Sequence, residues 1–65
     1  MAISNDRIIR ILKENGFTLC RVKGSHHHYK KDGLLGLVTV PHPKRDIPPG
    51  TVRSIERQSG IRIRP

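Results

Sequence analysis

The segment Ser25-His26-His27-His28-Tyr29-Lys30 gathers three of the chain's four histidines into one short run. Imidazole ionises near neutral pH, so each of these rings can accept or release a proton there. Read as a β-strand, the run alternates, with His26, His28 and Lys30 on one side and His27 and Tyr29 on the other. Tyr29 and Phe17 are the chain's only two aromatic residues, and burial is the natural use of so large a ring. That choice turns His26, His28 and Lys30 toward an open surface. Arg21 and Lys23 lie just upstream, and Gly24-Ser25 lets another backbone approach closely. Metal-free RNA cleavage needs a group that takes the 2′-OH proton, cations that stabilise charge on phosphorus, and a proton donor for the leaving 5′-oxygen. Imidazole suits either proton task, and lysine and arginine suit the electrostatic one.

Two other readings stand beside that one. Histidines on an exposed strand are often inert and solvated. Alternatively His26, His28 and a folded-back His42 would bind zinc, since imidazoles two residues apart share a face, although no cysteine or carboxylate stands in a known ligand spacing.

The elements that must carry this strand are short. Ser4 suits a helix N-cap and Asp6 puts negative charge in the first turn. Ile8, Ile11 and Leu12 recur at helical spacing, and Gly16 after Asn15 suits a helix stop, which predicts a helix over about 5–15. Phe17 to Val22 reads as a first strand, Ser25 to Lys30 as a second, and Leu35 to Val40 as a third after an Asp32-Gly33 hairpin signal, with Pro41 closing it. Residues 41–50 hold four prolines and form a stiff loop. Pro49 suits the first position of a second helix reaching about Ser59, with Val52, Ile55 and Ser59 inward, Gly60 as the stop and Ile61 packing back. The tail from Arg62 is expected to fray. The order α-β-β-β-α predicts a small two-layer α+β domain, a three-stranded antiparallel sheet with two helices on one face and the other face open.

Composition sets the bounds. At 65 residues the chain is a single domain over 1–65, too small for a deep cavity or an enclosed cofactor, and no cofactor is expected. Thirteen Lys and Arg against five Asp and Glu give a net charge of +8, which attracts a polyanion, most commonly nucleic acid. The basic residues do not line one face of a long amphipathic helix, and no stretch nears the length of a membrane span. No membrane partner is therefore expected, and without a signal-peptide pattern the expected location is cytoplasmic. Cys20 is the only cysteine, which excludes an intramolecular disulfide, and its apolar neighbourhood suggests a small core residue.

The sequence resembles the HicA family of bacterial toxins. The matching stretches run nearly end to end: Glu14-Asn15-Gly16-Phe17, then Val22-Lys23-Gly24-Ser25-His26-His27-His28-Tyr29, then Val38-Thr39-Val40-Pro41-His42, and Ile47 through Ile55 leading to Gly60-Ile61. The resemblance implies a double-stranded-RNA-binding-like α-β-β-β-α fold. It also implies an mRNA interferase, an endoribonuclease independent of translation, inhibited by direct binding of a HicB-type antitoxin. The family's catalytic histidine directly follows Gly-Ser, which points to His26. Related chains often continue past Gly60-Ile61 into a short acidic helix, where this sequence reads Arg62-Ile63-Arg64-Pro65.

The expected site is therefore His26 as the catalytic residue, with Arg21, Lys23, Gly24, Ser25, His28 and Lys30 around it on the RNA. Lys44 and Arg45 of the stiff loop extend the RNA track. The expected partners are mRNA, single-stranded or structured, and an antitoxin that covers the basic face. A non-catalytic RNA-binding module of the same fold, reading RNA through backbone and 2′-OH contacts, is the alternative. A third possibility is a protein whose basic face only docks an acidic partner.

Overall fold

A computed structural model describes residues 3–42 and 45–63. Helix α1 spans Asn5–Glu14, strands β1, β2 and β3 span Thr18–Lys23, His26–Lys30 and Val38–Pro41, and helix α2 spans Pro49–Ser59. The local signals in the sequence account for both helices. The Ser4 hydroxyl accepts from the Arg7 N–H at 3.3 Å, Ile8 and Leu12 are buried four residues apart, and Asn15 caps the far end. Gly16 then takes φ +89°, and the Phe17 N–H donates to the Leu12 carbonyl, closing the helix end. In α2 the buried residues are Val52, Ile55 and Ser59, and left-handed Gly60 (φ +74°) donates to the Glu56 carbonyl at 2.8 Å.

The sheet is antiparallel with β2 at its centre, in the order β1-β2-β3. Tyr29, Val38 and Val40 face the helices and join Ile8, Leu12, Phe17, Ile47, Val52 and Ile55 in one core. Both helices lie over the β3 side of the sheet. Strand β1 extends beyond them, and all six of its residues are exposed, Leu19 and Val22 included. The α-β-β-β-α order, the three-stranded antiparallel sheet and its two helices agree with the sequence expectation.

Several local expectations are corrected. Phe17 precedes β1 and is buried as part of the α1 stop, and Ser25 lies in the turn before β2. Leu35 to Leu37 are not strand: β3 begins at Val38, and residues 31–37 form a longer loop. Gly33 and Gly36 both take left-handed φ, which breaks the extended backbone, and Leu35 finds nothing to pack on and is 98% exposed. Cys20 is exposed, because it sits at an irregularity of β1 outside the cover of the helices.

The tail does not fray at Ile63. That side chain is buried, and its N–H donates to Glu56 Oε2 at 2.8 Å. Ile3 and Ile47 form a two-way backbone bridge (3.3 and 2.8 Å) that ties the start of the chain to the proline-rich loop, with both side chains in the core.

Candidate active site

Lys23 and His26 are cross-strand partners, so Gly24-Ser25 is a two-residue hairpin turn. Gly24 takes φ +58° and no described non-glycine residue has positive φ, the pattern of a type II′ turn with glycine first. A Cβ at Gly24 would meet nothing within 4 Å, so glycine is required here for its backbone conformation. The Ser25 carbonyl accepts from the His42 N–H at 2.7 Å, which carries the β2–β3 pairing up to this turn.

Three rows of side chains cross the face of the sheet away from the helices. Lys23, His26 and Pro41 form the row beside the turn; Arg21, His28 and Thr39 form the next; Thr18 and Lys30 form the third. Directly opposed residues on a sheet have Cβ atoms about 5 Å apart, so each histidine has a cation of β1 as a lateral neighbour. Burial of Tyr29, Val38 and Val40 on the opposite face fixes the assignment. Lys23 thus stands across from His26, Arg21 and His28 form the next row, Lys30 lies on the same face two rows away, and Gly24 and Ser25 build the turn that presents His26.

An irregularity in β1 makes the cationic side of this arrangement. The register shifts between Leu19 and Arg21, leaving Cys20 as an extra residue. Strict alternation from Leu19, which opposes Tyr29, would have sent Arg21 and Lys23 to the helix side. The extra residue moves both onto the open face beside the histidines. Sequence reasoning missed this bulge, although the odd spacing of the apolar Leu19 and Val22 was a signal for it.

The remaining residues are placed differently. Arg45 is exposed in the loop before Ile47. Lys44 lies outside the described residues. Lys31 turns to the helix side, its Nζ 5.7 Å from the centroid of the Phe17 ring.

The two interior histidines of the run have unlike surroundings. His28 is half-buried, with Nδ1 2.9 Å from Thr39 Oγ1, a hydrogen bond whose donor depends on the imidazole tautomer. The Thr39 N–H in turn donates to Gln58 Oε1 of α2 at 3.1 Å, so the helix ties down the outer edge of the strand that holds His28. His27 lies on the helix side and stacks on His42, with ring centroids 4.2 Å apart and planes tilted by 31°. His42 therefore does not fold back toward His26 and His28, as the zinc alternative requires. Pro41 pairs with His26, and the next residue points to the other side. Among the described residues no group of three or more His, Cys, Asp or Glu is placed to hold a metal.

Desolvation lowers the His27 pKa below its usual 6.5, with smaller contributions from the nearby His42 and His28. A folded-state pKa below the unfolded value means that the unfolded chain takes up the proton first as pH falls. This contribution to stability is complete above about pH 6.5 and is lost as pH falls through the lower folded value. The urea midpoint should therefore be lower at pH 5 than at pH 7.5, and His27→Gln should reduce that difference. Equal pH dependence in the two proteins would show that the stacked pair is not its origin.

The family described as HicA toxin of bacterial toxin–antitoxin matches residues 6–61, from the first turn of α1 to just beyond α2. The chain belongs to the HicA toxin family. No curated protein matches the chain. The HicA match spans the whole sheet, the hairpin turn, the proline-rich loop and all of α2, so every element that positions the histidine face lies inside it. Membership makes the protein the toxin partner of a bacterial toxin–antitoxin pair. No helix among the described residues is long and apolar enough to cross a membrane.

Proposed function

We propose that this HicA toxin is a metal-independent endoribonuclease that cleaves mRNA, with His26 as a catalytic proton-transfer residue. The observation that carries the reading is the open face itself: an exposed histidine beside a tight turn, with Lys23 directly across from it and Arg21 and Lys30 on the same surface. The phosphate backbone of RNA lies along these cations, and the net charge of +8 draws it there. The 2′-oxygen attacks the adjacent phosphorus, its proton leaves to a base, and the departing 5′-oxygen takes a proton from an acid. His26 handles one of these transfers. Lys23, Arg21 and Lys30 stabilise the charge that builds on the phosphoryl oxygens. Gly24 and Ser25 leave the backbone open for close approach, and Lys44 and Arg45 extend the track. A HicB-type antitoxin inhibits by covering the basic face and excluding RNA from His26, and the site of action is the cytoplasm.

The test is incubation of the purified protein with a long mRNA in EDTA. The expected result is internal cleavage that yields 5′-hydroxyl ends and persists without divalent metal. Salt-sensitive binding with no turnover would instead indicate a non-catalytic RNA-binding module of the same fold.

A further inference from the structure

Transesterification of RNA moves two protons, one off the 2′-oxygen and one onto the 5′-oxygen, and His26 accounts for only one of them. The other side chains in the three rows of the open face are Lys23 and Pro41 opposite it, Arg21, His28 and Thr39 in the next row, and Thr18 and Lys30 beyond. Lysine and arginine are cations at neutral pH with no lone pair for a 2′-OH proton and are far weaker acids toward the 5′-oxygen than an imidazolium, and threonine and proline do not titrate there. His27 and His42 are stacked on the other side of the sheet, and Tyr29 is buried there. Cys20 is exposed at the bulge but has no cross-strand partner in these rows, so His28 is the remaining imidazole on this face.

We infer that His28 is the second catalytic proton-transfer residue of this site, acting through Nε2, and that Thr39 is its positioning residue. The inference rests on the ribonuclease reading above. Its geometric basis is the 2.9 Å contact between His28 Nδ1 and Thr39 Oγ1. A hydroxyl both donates and accepts, so Thr39 can satisfy Nδ1 in the neutral ring and in the imidazolium. The ring orientation is thereby held in both protonation states, and Nε2 is left as the nitrogen free for RNA. His26 and His28 are two residues apart on one strand, roughly 6.5 Å along its axis. That spacing admits one phosphodiester between the rings with both in reach.

The proton balance closes on these two residues. The neutral imidazole of the pair takes the 2′-OH proton as the 2′-oxygen bonds to phosphorus. The P–O5′ bond breaks, and the imidazolium of the pair gives its proton to the 5′-oxygen. The products are a 2′,3′-cyclic phosphate and a 5′-hydroxyl, and bulk water restores both rings. The charged or titratable groups around His28 are Arg21 across on β1 with Lys23 diagonal to it, His26 and Lys30 on its own strand, and His27 through the sheet; β3 presents the uncharged Thr39.

The test is the pH dependence of single-turnover mRNA cleavage in EDTA for wild type, His28→Gln, Thr39→Val and Thr39→Ser, with folding checked by circular dichroism. Glutamine keeps the side-chain bulk and a partner for Thr39 but does not titrate. The expected wild-type profile is a bell with two limbs. His28→Gln should lose about 10²-fold or more in rate together with one limb. Thr39→Val should lose about tenfold and displace that same limb, and Thr39→Ser should restore both. Wild-type cleavage with an unchanged rate and bell in His28→Gln overturns this inference and leaves the ribonuclease reading intact. So does a loss that is uniform at every pH, which marks a structural role. Absence of wild-type cleavage overturns both.

Discussion

His26→Ala should lower the rate of mRNA cleavage by about 10²- to 10⁴-fold while leaving the fold in place, because removal of a general acid or base costs that much. The structure explains why rate and stability should separate. The His26 side chain is exposed at the first position of β2, outside the core and without a side-chain hydrogen bond among the described residues. Substitutions at such surface positions usually alter stability by less than about 0.5 kcal/mol. RNA affinity should persist, since Arg21, Lys23 and Lys30 remain on the same face and affinity for RNA comes chiefly from such cations. The decisive measurement is a single-turnover rate with saturating protein, accompanied by a melting curve and a binding isotherm at one fixed salt concentration. An equal rate in His26→Ala would remove this residue from the chemistry. A large drop in melting temperature would reassign it to the scaffold.

Tyr29→Ala should do the reverse and strongly destabilise the fold, with activity falling as the folded fraction falls. Tyr29 is 2% exposed and sits in the central strand, in one core with buried residues of both helices. Truncation of a buried aromatic side chain costs about 3–5 kcal/mol, through lost transfer energy and the cavity left behind. A native domain has about 0.05–0.15 kcal/mol of stability per residue, which for a chain this short amounts to about 3–10 kcal/mol in total. The substitution should therefore remove roughly a third or more of the total stability, visible as a urea midpoint lowered by about that share. Tyr29→Phe keeps the ring and should stay within about 1.5 kcal/mol of wild type. A folded Tyr29→Ala protein with a near-normal midpoint would mean that this ring does not anchor the sheet. It would also undermine the division of the strand into a buried side and an RNA side.

That division links the two predictions. One strand carries core residues alternating with the proposed catalytic ones, so a one-residue slip of β2 would exchange them. Two devices hold the register: the type II′ turn at Gly24-Ser25 on one side of β2, and burial of Val38 and Val40 opposite Tyr29 and His27 on the other. In so small a toxin, little besides this register separates a working site from a misplaced one.

Much of this was legible in the sequence because it depends on neighbours along the chain. Ser4, Gly16 and Gly60 mark helix ends through local backbone geometry, and Ile8, Leu12, Val52 and Ile55 declare inward faces through a period of about four residues. The two sides of the histidine run follow from strand alternation once Tyr29 is buried. Chain positions far apart could not be paired in the same way. Nothing local announces that Ile47 closes a bridge to Ile3, that Thr39 meets His28, or that His42 stacks on His27. The same holds for β3, where apolar Leu35 and Leu37 read as strand but lie exposed in a loop with two left-handed glycines. The sequence by itself determined the element order, the charge, and the presence of histidines on an open face, because backbone propensity and side-chain period are properties of contiguous residues. The tertiary structure alone decided which cations stand beside which histidine, through a bulge at Cys20 and a register set across three strands. Those contacts join residues that only folding brings together.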